Sequence, residues 1–248
     1  MNGNSNKVLI FGHRGVGNLA PENTIKSFKK AIELQADFIE FDILETKDGK
    51  IVVCHDEELS RLTGQHGFVK ELTLEELKTL DFGEGERIPT FEELIEVCKD
   101  KINLNCEVIV EGISNRVINI IKKYDIIDSA IVSSFKHQEL LEFQKIDSTI
   151  KLAYLENNNY KGSCTWKKKE QWIQFCIDNN LYAINPFYPL VDQQFVDFAH
   201  NNNIKVFPYA VESAPAMRKL IKYGVDGLIT NDILKAKTVL LKENRFNR

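Results

Sequence analysis

The chain has 248 residues, which suits one large domain or two small ones, and 43 % of them are apolar, too many for a disordered chain and enough for a sizeable core. The formal net charge of −4 excludes the basic surface by which proteins bind the nucleic-acid backbone. Five cysteines without a C-x-x-C pair predict neither a disulfide framework nor a zinc site.

The amino terminus, Met1 to Lys7, leads directly into a short apolar run from Val8 to Phe11. This run is far shorter than the apolar core of a signal peptide or a membrane span. We therefore expect a cytoplasmic protein with no stable membrane anchor and no nucleic-acid partner. Nothing in the sequence indicates an oligomeric state.

Short runs of β-forming residues alternate with helical patterns along the chain. Eight strands are predicted, at residues 8–11, 38–43, 102–108, 130–133, 151–155, 183–185, 205–207 and 227–230. The helical patterns cover residues 24–35, 116–124, 138–145, 168–179, 192–201, 215–223 and 233–243. Eight βα units predict a closed parallel (βα)8 barrel of the α/β class with the helices outside. Because no Pro/Gly-rich linker divides the series, we expect residues 1–248 to form a single domain.

The segment after the second strand is irregular. Asp48-Gly49 suits a tight turn, so Ile51 to Val53 predicts an extra strand folded back as a hairpin that carries His55. Threonines at positions 73 and 90, each followed three residues later by a glutamate, match the capping box of a helix start. We therefore predict a small insertion at about residues 57–87 that ends in helices.

Three carboxylates stand at the ends of predicted strands. Glu40 and Asp42 are two residues apart and therefore project to the same face, and Glu107 follows Cys106 at the polar end of the next barrel strand. The carboxyl ends of the strands meet at one face of a parallel barrel, so the three should converge there. Hard divalent cations prefer carboxylate oxygens, which predicts a Mg²⁺ or Ca²⁺ site with open positions for a substrate.

Two histidines flank these carboxylates in the sequence. His13 follows the first strand in Gly12-His13-Arg14-Gly15, and His55 follows the predicted hairpin. Histidine has an unperturbed pKa of about 6.5, so both can accept and donate protons at neutral pH. Arg14 either stabilises the charge of a phosphate or pairs structurally with a carboxylate.

An ordered set of motifs surrounds these residues: His13-Arg14-Gly15, Pro21-Glu22-Asn23-Thr24, Glu40-Phe41-Asp42, Thr46-Lys47-Asp48-Gly49, His55-Asp56, Leu59-Ser60-Arg61-Leu62-Thr63, Ile88-Pro89-Thr90, Asn105-Cys106-Glu107 and Gly224-Val225-Asp226-Gly227-Leu228-Ile229-Thr230-Asn231-Asp232. Over nearly the whole chain, this set resembles the glycerophosphodiester phosphodiesterases. The resemblance implies a TIM barrel that hydrolyses a small glycerophosphodiester to glycerol 3-phosphate and an alcohol. It also implies that Glu40, Asp42 and Glu107 bind the metal and that His13 and His55 are the acid/base pair. The nucleophile is either water or a neighbouring glycerol hydroxyl, and either histidine can be the base.

Two positions depart from the pattern of that family. The family usually has a lysine two residues after the third metal glutamate, where this chain has Ile109. It also tends to have Trp-Thr-Val-Asn after the seventh strand, where this chain has Tyr209-Ala210-Val211-Glu212. Tyr209 is either an aromatic wall for a glycerol or alkyl group of the substrate or a core aromatic. Ile109 either leaves out a phosphate-binding charge or belongs to a pocket for an apolar group.

Two other functions therefore stay open. The same barrel fits a lysophospholipase D or a relative of the phosphoinositide lipases, which a broad apolar rim around the barrel mouth would favour. A binding protein with weakened catalysis is the second alternative, suggested by Ile109 and Glu212.

Overall fold

The computed structural model describes residues 7–156 and 164–244. Within these residues it contains nine strands, which we number β1 to β9: Leu9–His13, Phe38–Glu45, Ile51–Val53, Asn103–Val108, Ala130–Ser134, Lys151–Glu156, Ala183–Pro186, Lys205–Val206 and Gly227–Thr230. Eight of them are the predicted barrel strands, and β3 is the predicted hairpin strand, antiparallel to β2.

Ten helices connect or follow these strands in the same described residues: α1 Ile25–Glu33, α2 Ser60–Thr63, α3 Leu74–Lys78, α4 Phe91–Cys98, α5 Ser114–Lys123, α6 His137–Ile146, α7 Trp166–Asp178, α8 Gln193–Asn201, α9 Ala214–Tyr223 and α10 Ile233–Lys242. Both predicted capping boxes are present, at Thr73 before α3 and at Thr90 before α4. No described helix has the length and apolar composition needed to cross a bilayer.

The strands form a parallel sheet that curves into a nearly closed barrel. Its order is β8-β7-β6-β5-β4-β2-β1-β9, with β3 attached to the outer end of β2. The gap between β9 and the short strand β8 is bridged by backbone hydrogen bonds from Asp226 N to Val206 O (3.0 Å) and from Ile229 N to Pro208 O (2.9 Å). The predicted (βα)8 barrel is therefore confirmed.

Apolar side chains pack in three places. A large cluster, which includes Phe41 and Val132, lies between the outer face of the barrel and its helices. A smaller one, which includes Phe11 and Phe207, fills the barrel interior. The third joins β2 and β3 to α3 and the segments around it, in residues 57–87, which we call the insertion. Beyond the interior cluster, at the carboxyl ends of the strands, residues that face the barrel axis do not pack in an apolar core and can be polar. The candidate site lies at these strand ends.

Candidate active site

Three carboxylates meet at the mouth of the barrel. Glu40 and Asp42 project inward from β2 because the residues between and around them, such as Phe41, pack against the helices. Glu107 projects inward from β4, and the parallel register places it directly beside Asp42. One oxygen of each carboxylate lies within 4.8 Å of the other two. These three residues can therefore hold a metal ion.

The electrostatics of this group favour a bound cation. Glu40 and Asp42 are buried, at 3 % and 1 % exposure, and Glu107 is partly exposed. Burial, together with the neighbouring charge of Asp42, raises the pKa of Glu40 to about 8. The same two causes raise the pKa of Glu107 well above its usual range. Three carboxylates carry more negative charge than the single Arg14 can balance. A site whose ligands are all carboxylates suits a hard divalent cation.

A tight turn after β1 brings His13 and Arg14 to this group. A side chain at Gly12 would collide with the carbonyl oxygen of Gly15, 2.2 Å from the added Cβ, and Gly15 itself has a φ of +87°. The Ser27 hydroxyl accepts a hydrogen bond from Val16 N (2.7 Å) and donates one to Arg14 O (3.0 Å). The Gly-His-Arg-Gly sequence therefore folds as a turn anchored on α1, with the side chains of His13 and Arg14 at the mouth.

His13 lies between the carboxylates and the loop that follows β9. Its Nε2 is 3.9 Å from Glu40 Oε2, and its Nδ1 is 2.9 Å from Asn231 Oδ1. Burial and the nearby Arg14 charge lower the pKa of His13. The ring is therefore held in a neutral form with one nitrogen turned toward the carboxylates.

Arg14 makes contacts with three acidic residues. Its backbone N donates to Glu40 Oε2 (3.0 Å), its Nη1 donates to Glu22 Oε1 (2.8 Å), and its Nε is 3.4 Å from Asp42 Oδ2. Burial disfavours the charged guanidinium, but Asp42 and Glu40 outweigh this effect and raise the pKa of Arg14. The pairing with carboxylates that the sequence left open is thus present, and the guanidinium also lies at the barrel mouth.

His55 belongs to a second polar network. Its Nδ1 is 2.5 Å from Asp56 Oδ1, and Asp56 also accepts from Arg61 Nε. Arg61 in turn donates to both oxygens of Glu22, at 3.0 and 2.7 Å, which connects this network to Arg14. The hydrogen bond from Arg61, opposed by partial burial and assisted by the bond to His55, lowers the pKa of Asp56 to about 2. An ionised carboxylate therefore supports the His55 ring.

Sequence reasoning assigned no role to several of these supporting residues. Asn23 is buried, has a φ of +57°, and donates from Nδ2 to Asp42 Oδ2 (2.8 Å). Glu22, Asp56 and Arg61 form the network under His55, and Asn231 contacts His13. All of them stand inside motifs that carry the family resemblance. Their place inside these motifs is a sequence signal that they matter, but it does not show which residue each of them contacts.

Tyr209 lies at the top of the interior cluster, opposite Glu107 across the barrel. Its ring contacts Phe135 and Phe187, with centroids 6.2 and 5.7 Å away, and its hydroxyl donates to Glu156 O (3.0 Å). Burial and the charge of Glu107 raise its pKa. Tyr209 therefore packs against the core and is only partly buried, and its role as an aromatic wall for the substrate stays a prediction.

The two departures from the family pattern have different surroundings. Ile109 follows the end of β4 and packs against the apolar cluster of the insertion, to which Leu44 and Val52 belong. An apolar side chain there is thus matched by apolar neighbours. Glu212, in contrast, accepts hydrogen bonds from Asn231 N (3.0 Å) and Asn231 Nδ2 (2.9 Å).

Comparison with known proteins places the chain in a family. The family model described as the glycerophosphoryl diester phosphodiesterase family matches residues 13–235. A glycerophosphodiester phosphodiesterase of Caldanaerobacter subterraneus subsp. tengcongensis is 40 % identical over 239 residues, which cover 91 % of this chain and 95 % of that protein.

Solved structures agree with this comparison. The glycerophosphodiester phosphodiesterase of Thermotoga maritima is similar with a TM-score of 0.78 at 29 % identity, covering 94 % of this chain and 98 % of that one. A phosphodiesterase of Oleispira antarctica, solved with the product sn-glycerol-3-phosphate, shares the fold with a TM-score of 0.83 at 24 % identity, covering 94 % and 97 %. The chain therefore belongs to the glycerophosphoryl diester phosphodiesterase family and is a phosphoric diester hydrolase.

Proposed function

We propose that this chain hydrolyses a small glycerophosphodiester to glycerol 3-phosphate and an alcohol, with a divalent metal and two histidines. The observation that carries the proposal is the meeting of Glu40, Asp42 and Glu107 beside His13 and Arg14. The proposed product is the one that the Oleispira antarctica phosphodiesterase holds.

The metal ligands in this proposal are the three carboxylates, and the ion is Mg²⁺ or Ca²⁺. When bound, the ion stabilises the negative charge that grows on the phosphate oxygens during the reaction. Arg14 supplies a second positive charge to the same oxygens, and its contacts with Glu22 and Asp42 hold it in place. Tyr209 offers its aromatic face to the glycerol or alkyl part of the substrate.

The two histidines differ in their Nδ1 partners, and this difference assigns their roles. His13 meets a neutral amide oxygen at Nδ1 and is held neutral, so its Nε2 is free to accept a proton. His55 meets the carboxylate of Asp56 at Nδ1, and because a carboxylate only accepts, this contact orients the ring and leaves Nε2 to exchange a proton with the substrate. We assign His13 as the base that deprotonates the attacking oxygen and His55 as the acid that protonates the leaving alkoxide. As the new P–O bond forms and the bond to the alcohol breaks, one proton is taken and one is given. The attacking oxygen is water in direct hydrolysis, or the neighbouring glycerol hydroxyl if a cyclic phosphate forms first.

A turnover assay over a panel of glycerophosphodiesters tests the proposal. Activity should require Mg²⁺ or Ca²⁺, vanish with a chelator and return when the ion is restored. Full turnover of the chelated protein, or absence of turnover on every member of the panel, contradicts it. A mixture of Glu40→Gln and wild-type protein at equal total concentration controls for contaminating phosphodiesterases, because its rate should follow the wild-type fraction.

A second candidate substrate is a lysophospholipid. Three large apolar side chains are exposed in segments that follow strand ends or belong to the insertion: Leu19 after β1, Phe135 after β5 and Phe68 in the insertion, at 50 %, 38 % and 41 % exposure. Scattered apolar residues are common on protein surfaces, so this observation ranks second to the polar site. Including lysophospholipids in the panel separates the two candidates, because preference for them over short glycerophosphodiesters requires an apolar contact.

The proposal treats residues 1–248 as one domain with a small insertion at about 57–87. A cytoplasmic location stays a prediction from the sequence. Of the amino-terminal residues on which that prediction depends, residues 1–6 lie outside the described part of the chain.

A further inference from the structure

Glu212 and Asn231 form a chain of contacts that ends on His13. Asn231 places its Oδ1 2.9 Å from His13 Nδ1, while its Nδ2 is 2.9 Å from Glu212 Oε1. The same Glu212 oxygen accepts from Asn231 N (3.0 Å). Each side chain in this series therefore contacts the next at hydrogen-bonding distance.

The chemistry of these groups fixes which atom donates and which accepts at each contact. A carboxylate has no hydrogen to donate, so the side of the Asn231 amide that faces Glu212 must be the NH₂ group. The carbonyl oxygen is then left for His13, and this oxygen also has no hydrogen to donate. His13 Nδ1 must consequently carry the proton. In the neutral ring the other nitrogen, Nε2, then has a lone pair, and this is the atom that lies 3.9 Å from Glu40 Oε2.

The loop geometry keeps Glu212 in position. Its second oxygen lies 3.3 Å from the hydroxyl of Thr230, and Lys235 Nζ donates to its backbone oxygen (3.0 Å). The next residue toward the amino terminus, Val211, donates its N–H to Ile229 O (3.2 Å) across the seam of the barrel. Glu212 is thus fixed to β9 and to the loop that follows it, which also contains Asn231.

We propose that Glu212 is a positioning residue that fixes the orientation of the Asn231 amide and thereby the Nδ1–H tautomer and the ring orientation of His13. This inference rests on the proposed role of His13 as the base. A carboxylate suits this task because both of its oxygens only accept, so whichever oxygen faces Asn231 requires the NH₂ group of that amide as the donor. The departure at Glu212 therefore serves the reaction.

The test combines a tautomer measurement with kinetics. ¹⁵N-histidine NMR, with the His13 signals assigned by their loss in His13→Ala, reports which ring nitrogen carries the proton without requiring activity. The wild type should show the Nδ1–H form, and Glu212→Ala should show a mixture of both forms. Glu212→Ala should also lower kcat about 10- to 100-fold with little change in KM, because the substrate contacts remain while the base is held less well.

A swap of the two polar groups keeps the proposal falsifiable even where Glu212→Ala folds poorly. Asn231→Asp alone sets two carboxylates within about 3 Å of each other and should lower kcat at least as much as Glu212→Ala. Adding Glu212→Gln removes this repulsion, because the amide is neutral and its oxygen can still accept from the N–H of residue 231. The carboxylate at position 231 accepts from His13 Nδ1 in both variants, so the double variant should show the Nδ1–H form and about tenfold higher kcat than Asn231→Asp. Lys242→Met, at an exposed position in the last turn of α10, is the control and should match the wild type in both measurements.

The outcomes separate the inference from the function on which it rests. A wild-type tautomer pattern and wild-type kcat in Glu212→Ala would overturn the positioning role, as would a double variant no better than Asn231→Asp. If the wild type hydrolyses no phosphodiester, or His13→Ala turns over normally, the proposed function fails instead, and the NMR result still stands for or against the contact chain.

Discussion

Glu40 should make the metal-free protein less stable as the pH rises, and a divalent cation should remove this effect. Burial and the nearby Asp42 raise the pKa of Glu40 from its ordinary 4.5 to about 8 in the folded protein. The folded state thus binds a proton that the unfolded state has already released. The contribution of Glu40 to the free energy of unfolding is fully present below about pH 4.5 and is lost as the pH rises toward about 8.

The size of the effect follows from the pKa difference. At 1.36 kcal/mol for each pKa unit, Glu40 alone accounts for up to about 5 kcal/mol between the two limits. Glu107 has a pKa raised for the same reasons and acts in the same direction. A cation that binds only the folded state counters this loss, by about 2.7 kcal/mol at 100 times its dissociation constant.

Urea unfolding at pH 5 and pH 8, with a chelator or with Mg²⁺, measures this balance. Glu40→Gln should make the chelated protein more stable at pH 8, flatten its pH dependence and abolish the stabilisation by Mg²⁺. The exposed Glu33→Gln, on helix α1, is the matched control and should behave as the wild type. If wild type and Glu40→Gln lose the same free energy of unfolding between pH 5 and pH 8, the pKa of Glu40 is not raised and the reasoning is wrong.

Three further perturbations test other parts of the site. His13→Ala and His55→Ala should each lower kcat roughly 10²-fold or more with an unchanged circular dichroism spectrum, and normal turnover by either would remove that histidine from the mechanism. Ile109→Lys should lower the free energy of unfolding in urea by about 1 to 3 kcal/mol, because an ammonium would enter the apolar cluster of the insertion. Ile109→Val is its control, and higher kcat/KM at unchanged stability would mean that this position faces the phosphate after all. Tyr209→Phe should cost about 1 kcal/mol in the same unfolding assay through loss of its bond to Glu156 O, and no loss would show that this bond contributes nothing.

Local patterns were sufficient for the elements of the fold. The alternation of Glu40 and Asp42 with apolar residues predicts both a strand and the face on which the carboxylates lie, because side chains of a strand alternate with period two. Capping boxes at Thr73 and Thr90 fix the starts of α3 and α4 through contacts within four residues. Even the meeting of Glu107 with Glu40 and Asp42 follows, since parallel barrel strands end at one face.

The partners of these residues could not be read in the same way. Ile109 continues the inward period of β4 and so, from the sequence, faces the phosphate, yet it lies beyond the strand end and packs on the insertion. The position of the insertion depends on how β3 and the helices after it fold back over β2. That arrangement is set by apolar burial over many residues and has no local signature.

What the sequence determined by itself is the set of chemical groups at the barrel mouth, because short-range periodicity and turn chemistry place each group at a strand end. What only the tertiary structure decided is how the histidines are supported. His55 has its carboxylate partner in the next residue, whereas His13 meets Asn231, 218 positions away in the chain, and through it Glu212. That contact exists only because the first and last strands, β1 and β9, pair side by side in the barrel. The amide that defines the tautomer of His13 is therefore a product of the closed fold.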